Sequence, residues 1–270
     1  MTELTIFANF FIDTKERFIR VQDSLNSFKH VDAKCWVINV RGRYRAEVTE
    51  ILRGELGPKL LPFGLNRPEG WFHDSRSMLP SIEGDCVLFW LEDHLSMVSA
   101  ELLDQAIVEL DTARADYMMY TFWWDGRLRE RYAGLELSEG TLIDTFIHDI
   151  EANQTIQNNV EEEVFIIPAC SIFRRELFEK IILADDPIPK RWPIQTPFDF
   201  EKRGADTHWL PLKVALPKQE LFASIDDDHV HPGSSLISRG LYTRREQRQS
   251  YAMPTSPLTK RLAKALQKKP

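Results

Sequence analysis

The chain has 270 residues, 43% of them hydrophobic, and a formal net charge of −7 at pH 7. This length and apolar content allow a full core, whereas no apolar run reaches the roughly 18 residues that a membrane-spanning helix needs. From Arg239 onward, nine basic residues stand against one acidic residue. An acidic body followed by a basic tail argues against a nucleic-acid-binding domain, whose folded surface would itself carry the basic face.

Two features of the sequence predict a cytoplasmic location. The N-terminal residues lack the basic and apolar regions of a signal peptide. The three cysteines, Cys35, Cys86 and Cys170, lie within apolar runs and have no metal-like spacing. We therefore expect them to be reduced core residues.

The first half of the sequence alternates strand and helix patterns. Asp13 is a plausible N-cap for the first helix, with Glu16 completing a capping-box-like pair. The predicted order is strand Leu4 to Phe11, helix to about Phe28, strand Ala33 to Val40, helix near Ala46 to Leu52, strand Lys59 to Phe63, helix around Trp71 to Leu79, and a strand beginning at Cys86. Such alternation indicates a mostly parallel sheet with right-handed crossovers.

The strand that begins at Cys86 has a pattern typical of the centre of such a sheet. Six apolar residues are followed at once by Glu92-Asp93-His94. Ligands bind at the carboxyl ends of strands in open α/β sheets, and hard oxygen ligands suit Mg²⁺ or Mn²⁺ carrying a phosphate. The alternative is that these acids only complement the dipole of a following helix.

The second half of the sequence is less regular. Ser99 is the predicted N-cap of a helix through Leu110, and Asp125-Gly126 predicts a hairpin after a strand from Tyr117 to Trp124. The remaining predicted elements are a helix from Leu142 to Ile150, a strand from Val164 to Ile167, a helix from Arg175 to Leu183 and a short basic helix at the C-terminus.

The sequence lacks the motifs of several common classes of enzyme and binding site. No P-loop, no G-x-G-x-x-G fingerprint after the first strand and no G-x-S-x-G elbow is present. The cysteines and histidines also lack a paired zinc spacing. A phosphate-bearing substrate is therefore expected to need a metal.

The segment Ser24-Leu25-Asn26-Ser27 at the end of the first helix, together with a fourth strand that runs into acids, resembles the nucleotide-sugar half of GT-A glycosyltransferases of the family 2-like type. The resemblance covers roughly the first 125 residues. It implies a nucleotide-diphosphate sugar donor, a divalent cation (Mn²⁺ or Mg²⁺) and transfer with inversion. Leu91-Glu92-Asp93-His94 departs from the usual D-x-D motif. The resemblance makes Asp93 the metal ligand and Glu92 a ribose or water contact.

A run of cations follows the second strand. Arg41-Gly42-Arg43-Tyr44-Arg45 carries three cations within five residues, which either form a solvated turn or face a phosphate or a base at the carboxyl edge of the sheet. The donor-binding candidates are therefore Arg41 and, in addition, Phe10, Asp13, Asn39 and Arg76.

Later residues provide candidates for the rest of such a site. His229 or His231, beside Asp226 to Asp228, is expected to complete the metal shell, unless this segment is only an exposed acidic loop. Glu201, and after it Asp199, is the candidate base for the acceptor hydroxyl, unless these acids cap a helix.

Aromatic residues supply the acceptor candidates. Trp123 and Trp124, at a predicted strand end, are placed to stack on a sugar ring, and the adjacent Asp125 is the third acceptor candidate, although core packing is the commoner role of tryptophan.

The sequence thus predicts one GT-A-like α/β domain over residues 1–238, with a nucleotide-sugar half (1–125) and an acceptor half (126–238), and a basic tail over 239–270. The expected activity is metal-dependent sugar transfer to a saccharide or lipid-linked saccharide. A sugar nucleotidyltransferase and a non-catalytic carbohydrate-binding module are the alternatives. The tail is expected either to contact the inner face of the membrane or to be a solvated end.

Overall fold

The computed structural model describes residues 2–120, 130–160, 164–166, 170–184, 200–227 and 233–243. The chain divides into two compact units, Met1–Ile225 and Asp226–Pro270. Within the described part of the second unit, Leu236 accepts backbone hydrogen bonds from Leu241 and Tyr242, which closes a short turn. Among the described residues, no helix combines the length and the apolar character needed to cross a bilayer.

The first unit contains an alternating run of helices and strands followed by shorter elements. Up to the central strand these are β1 Leu4–Phe11, α1 Lys15–Phe28, β2 Ala33–Arg41, α2 Arg45–Leu56, β3 Leu60–Phe63, α3 Trp71–Met78 and β4 Cys86–Phe89. After it come β5 His94–Ser96, α4 Ala100–Thr112, β6 Tyr117–Met118, β7 Ile143–His148, α5 Ile150–Asn159, β8 Val164–Ile166, β9 Ile172–Arg174, α6 Arg175–Leu183, β10 Lys202–Arg203, β11 Leu212–Pro217 and β12 Phe222–Ser224.

In the part of the chain that the structure describes, the main sheet has eight strands in the order β3-β2-β1-β4-β9-β6-β11-β7. The pairs β3–β2, β2–β1, β1–β4 and β6–β11 are parallel, whereas β9 is antiparallel to both of its neighbours and β7 is antiparallel to β11. The sheet is therefore mostly parallel, as the sequence predicts. Two smaller antiparallel pairs, β5–β12 and β8–β10, complete the strand pairing.

Helices cover both faces of this sheet. Along β1, Ile6 and Ala8 belong to one hydrophobic cluster, and Phe7 belongs to the other. Buried residues of α1, α2 and α4 pack in the first cluster, and those of α3, α5 and α6 pack in the second. Strands buried on both faces explain the continuous apolar runs in β1, β2 and β4.

The predicted N-cap of the first helix is off by one residue. The side chain of Thr14, rather than that of Asp13, accepts the N–H of Arg17. Ser99 is confirmed as the N-cap of α4, where its side chain accepts the N–H of Leu102.

The predicted helix from Leu142 to Ile150 is wrong. Ile143–His148 is a strand at the edge of the sheet, paired with β11 from Leu212 to Pro217. The apolar spacing fits a helix, but the exposed side chain of Ile147 lies between the buried side chains of Phe146 and His148, as neighbours on opposite faces of an edge strand do. Tertiary pairing with a distant strand overrides the local pattern.

The cysteine prediction is confirmed. Cys35, Cys86 and Cys170 are all free and buried. Burial raises the pKa of Cys86 to about 11 and also raises that of Cys170. The apolar surroundings make these two thiols poor nucleophiles.

Candidate active site

The acidic residues after β4 lie at the carboxyl end of a central strand. β4 pairs in parallel with β1, so the ends of both strands lie at the same edge of the sheet. Trp90, directly after β4, donates its backbone N–H to Phe7 of β1. Glu92, Asp93 and His94 then form the turn into β5, which we call the acidic turn. Their predicted position at this edge agrees with the structure.

Helix α1 holds the acidic turn in place through two serines. The hydroxyl of Ser24 donates to the carbonyl of His94 and accepts the indole N–H of Trp90 at 2.7 Å. The hydroxyl of Ser27 donates to the carbonyl of Ser24 at 2.7 Å and accepts the N–H of Ser96 at 3.0 Å. The Ser24-Leu25-Asn26-Ser27 segment thus holds the backbone at the end of the turn and the indole of Trp90 before it.

Strand β12 fixes the other side of the turn. β5 pairs with Phe222–Ser224, and the N–H of Ile225 donates to the carbonyl of Asp93 at 2.7 Å. The ring of His94 packs edge-on against Tyr120, with the ring centres 5.1 Å apart. The main chain at Asp93 is therefore held by elements that are distant in sequence.

The pKa values of Asp93 and Glu92 are shifted in opposite directions. Burial acts to raise the pKa of Asp93, but the adjacent His94 ring, with its Nδ1 at 2.7 Å from Oδ1, and the charge of Arg20 outweigh it and hold that pKa below its usual value. Burial, and then the charge of Asp93, raises the pKa of Glu92 to about 7, against the opposing effect of Arg17. Asp93 is the permanent anion of the pair at neutral pH.

The acidic turn offers one carboxylate with the properties of a metal ligand. The side chain of Asp93 is 30% exposed, and its Oδ2 accepts no hydrogen bond from a described residue. No group of three or more His, Cys, Asp or Glu side chains in the described ranges is placed to hold a metal ion. One carboxylate still fits Mg²⁺ or Mn²⁺, because these ions take many of their ligands from substrate phosphates and water.

A buried polar network lies beside the acidic turn, at the ends of β1 and β2. The side-chain oxygen of Asn9 accepts hydrogen bonds from Asn39 at 2.9 Å and from Nε of Arg41 at 3.1 Å. Asn39 also exchanges hydrogen bonds with the backbone of Leu65, which ties the loop before α3 to the sheet. Burial lowers the pKa of Arg41, while Asp74 and Glu92 act in the opposite direction. The network makes this edge of the sheet rigid and charged.

The structure brings some of the predicted donor residues to this edge and places others elsewhere. Glu92, Asp93, Asn39 and Arg41 lie together there, and Asp13 is exposed in the loop that follows β1.

The side chain of Phe10 is 1% exposed and packs edge-on against Trp90 in the core. The guanidinium of Arg76 donates to the carbonyls of Ile182 and Ala184 at the end of α6. In this structure Phe10 thus packs in the core, and Arg76 contacts the end of a helix.

The predicted base and acceptor residues are only partly described. Glu201 is a partly exposed carboxylate, 3.5 Å from Arg203. The ring of its neighbour Phe200 stacks on Phe89 of β4 at 5.5 Å, which anchors this segment beside the central strand. The other predicted residues, Asp199, His229, His231, Trp123, Trp124 and Asp125, lie outside the described residues.

Sequence reasoning missed Arg17 and Arg20, which face the acidic turn from α1. Arg17 contacts Glu92, and the charge of Arg20 lowers the pKa of Asp93. Their spacing from Ser24 is i, i+3 and i+7, which places all three residues on one helix face. Once Ser24 is a candidate, this helical spacing is the sequence signal that identifies Arg17 and Arg20 as its neighbours on the same face.

Comparisons with known proteins give a fold and no family. No family model and no curated protein matches the chain. Among solved structures, S. aureus TarS 1–349 matches with a TM-score of 0.53 and 14% identity, over 82% of this chain and 59% of that one. The fold is that of GT-A structures.

Two further structures are similar at lower scores. TarS 1–349 in complex with UDP-GlcNAc matches with a TM-score of 0.47 and 14% identity, over 82% of this chain and 57% of that one. The mannosyltransferase PcManGT from Pyrobaculum calidifontis, in complex with GDP-Man and Mn²⁺, matches with a TM-score of 0.49 and 11% identity, over 95% and 66% of the two chains. The chain covers less than two thirds of each of these structures, and the likeness at these identities concerns the fold alone.

Proposed function

We propose that the chain is a glycosyltransferase that moves a sugar from a nucleotide-diphosphate sugar to a hydroxyl of a saccharide or lipid-linked saccharide. The observation that carries the proposal is Asp93, an ionised and partly exposed carboxylate at the carboxyl end of the central strand of a GT-A sheet. Ligands bind at this edge in open α/β sheets. A metal-bound diphosphate is the ligand that such a carboxylate suits best.

In this proposal the residues of the chain have separate tasks. Asp93 would hold Mn²⁺ or Mg²⁺ on the donor, and His229 or His231 remains the sequence-based proposal for a further ligand. A bound divalent cation would offset the charge of the departing diphosphate. Asn39 and Arg41 lie in the polar network that would support the nucleotide.

Glu201 is our proposed base. Its carboxylate would take the proton from the acceptor hydroxyl as the new bond to the sugar forms. Asp199 is the second choice, and inversion at the sugar carbon follows from the resemblance to inverting GT-A enzymes. Trp123, Trp124 and Asp125 remain the proposed acceptor contacts, and the basic tail remains the proposed contact with a membrane surface.

The proposal is tested by thermal shift with UDP, GDP, CDP and dTDP, each with and without Mn²⁺. We expect at least one nucleotide to stabilise the wild type in a metal-dependent way, by about 2.7 kcal/mol at 100 times its dissociation constant, or roughly 5 to 10 °C in melting temperature. Asp93→Asn should abolish this stabilisation because it removes the anionic ligand. Asp85→Asn, an exposed aspartate just before β4, is the matched control and should behave as wild type.

A second arm separates an enzyme from a binding module. Glu201→Gln should keep metal-dependent nucleotide binding while losing sugar transfer, measured as nucleoside diphosphate released from the stabilising sugar nucleotide in the presence of saccharide acceptors. If no nucleotide shifts the wild type under any metal condition, the proposal is wrong. If a nucleotide binds and no sugar nucleotide is turned over, the binding-module alternative is favoured instead.

A further inference from the structure

The guanidinium of Arg17 lies beside the acidic turn and is anchored at one of its nitrogens, Nη1. Its Nη1 donates to the backbone carbonyl of Phe11 at 2.8 Å and lies 3.4 Å from Oε1 of Glu92. The side chain is 45% exposed. Within the described ranges, its Nε and Nη2 groups donate no hydrogen bond.

This arrangement differs from an ordinary surface ion pair. A surface pair joins two mobile side chains and contributes little to stability. Here one nitrogen of Arg17 is held by a main-chain carbonyl at the end of β1 and by Glu92, whose side chain is only 10% exposed. One end of the guanidinium is therefore anchored at Nη1, and its Nε and Nη2 edge remains for another acceptor. That edge is the part of arginine that binds phosphate oxygens in pairs.

The position of Arg17 matches what an anionic ligand needs at this site. Asp93 repels a phosphate, as Glu92 does in its ionised form, so a ligand with two phosphates requires more compensating charge than one divalent cation next to Asp93 supplies. Helix α1 follows β1, which runs parallel to β4 and extends beyond it at the carboxyl edge, since Phe89 at the end of β4 pairs with Phe7. Arg17 is thus at the ligand-binding edge of the sheet, and Arg20 follows it on the same helix face.

We propose that the Nε and Nη2 edge of Arg17 binds the diphosphate of the donor, while Glu92 and the carbonyl of Phe11 hold the rest of the guanidinium in place. This inference rests on the proposed function and adds a residue to its donor site. Glu92 acts here as a positioning residue for Arg17.

The test compares ligands that differ only in their phosphates. Affinities for uridine, UMP and UDP, and for guanosine, GMP and GDP, are measured by calorimetry with Mn²⁺, and the series with the tighter diphosphate is used. In Arg17→Gln we expect diphosphate binding to weaken on the order of 10- to 100-fold and nucleoside binding to change less than about 2-fold, because a charged hydrogen-bonding group is lost only for the phosphates. Arg17→Lys should be intermediate, since it keeps the charge and loses the planar fork.

Arg53→Gln is the matched control, because Arg53 is an exposed arginine on α2 whose guanidinium pairs with Glu50 of the same helix. It should leave all affinities unchanged. Melting temperatures without ligand establish that each variant is folded, and Arg17→Lys keeps a cation beside Glu92 if the glutamine variant is unstable.

The outcomes distinguish this inference from the proposed function. Equal loss for nucleoside and diphosphate would show that Arg17 acts only on the shape of the site, and an unchanged diphosphate affinity would show that it does not touch the ligand. Either result overturns the inference and leaves the proposed function standing. If the wild type binds none of UDP, GDP, CDP and dTDP in the presence of Mn²⁺, both are overturned.

Discussion

At the scale of single residues, the pair Glu92 and Asp93 shows how two adjacent carboxylates acquire different chemistry. Asp93 has the imidazole of His94 at hydrogen-bond distance, whereas Glu92 is more deeply buried and has Arg17 at 3.4 Å. The His94 ring helps to lower the pKa of Asp93, whereas burial raises the pKa of Glu92 to about 7 against the opposing charge of Arg17. The sequence places both acids at the strand end, but only the burial and the neighbours in the structure separate their roles.

Glu92 makes the stability of the ligand-free protein depend on pH. Its pKa in the folded state lies above its ordinary value of 4.5, so the folded protein holds a proton that the unfolded chain releases. Stability should therefore fall as the pH rises from about 4.5 to about 7, by on the order of 3 kcal/mol, and then level off. Glu92→Gln should lose this dependence, as measured by urea unfolding at a series of pH values without nucleotide or metal.

Comparing the stability of the wild type with that of Glu92→Gln separates the effect of Glu92 from the effects of other titrating groups. Burial lowers the pKa of His148, so that residue destabilises the fold as the pH falls below about 6.5 in both proteins. The lowered pKa of Asp93 acts at a lower pH than this window. Stability curves that run parallel for wild type and Glu92→Gln between pH 5 and 8 would contradict the assigned role of burial.

At the scale of elements, α1 both packs on the sheet and positions the acidic turn. Ser24 is fully buried and joins α1 to Trp90 and to His94 through a single hydroxyl. Serine is not a strong helix former, so its place in the middle of α1 reflects these two contacts rather than helix propensity.

Ser24→Ala should destabilise the fold by about 1–3 kcal/mol, because it leaves the buried indole N–H of Trp90 and the carbonyl of His94 without this partner. Ser138→Ala removes an exposed serine hydroxyl and should cost less than about 0.5 kcal/mol. Equilibrium unfolding in urea measures both values. Equal losses for the two variants would mean that the hydroxyl of Ser24 contributes nothing specific.

The elements also show how far the sequence could predict this fold. The first strand, the helix from Arg175 to Leu183 and the order of elements up to β4 are local patterns, and they are confirmed. β5, β9 and β12 have three residues each and are stabilised by partners far along the chain. Strands of this length give no periodic signal in the sequence. They form by pairing with residues that lie far outside any local sequence window.

Gly42 illustrates the same limit at a turn. Its φ is +90°, and a Cβ at this position would lie 2.6 Å from the carbonyl oxygen of Ile12. The loops after β1 and β2 therefore approach each other closely, which puts Arg41 beside Asn9. The sequence predicts cations near a sheet edge, whereas the close approach that fixes them depends on backbone geometry.

At the scale of the whole molecule, the two faces of the sheet bury all three thiols. Cys86 belongs to one hydrophobic cluster and Cys35 to the other, so each reports on a different side of the sheet. A thiol reagent such as dithionitrobenzoate should label none of the three cysteines in the native protein at pH 8 within minutes, and all three in concentrated guanidinium chloride. Rapid labelling of one cysteine alone under native conditions would instead indicate local opening on that side of the sheet.

The strand order has a consequence for the growing chain on the ribosome. β4 obtains its second neighbour from β9, roughly 80 residues later in the sequence. At about 5–20 residues per second, translation would need about 4 to 16 seconds to supply that neighbour. During this interval the apolar edge of β4 can template pairing with another nascent chain. The strand that carries the acidic turn is thus one that needs protection during synthesis.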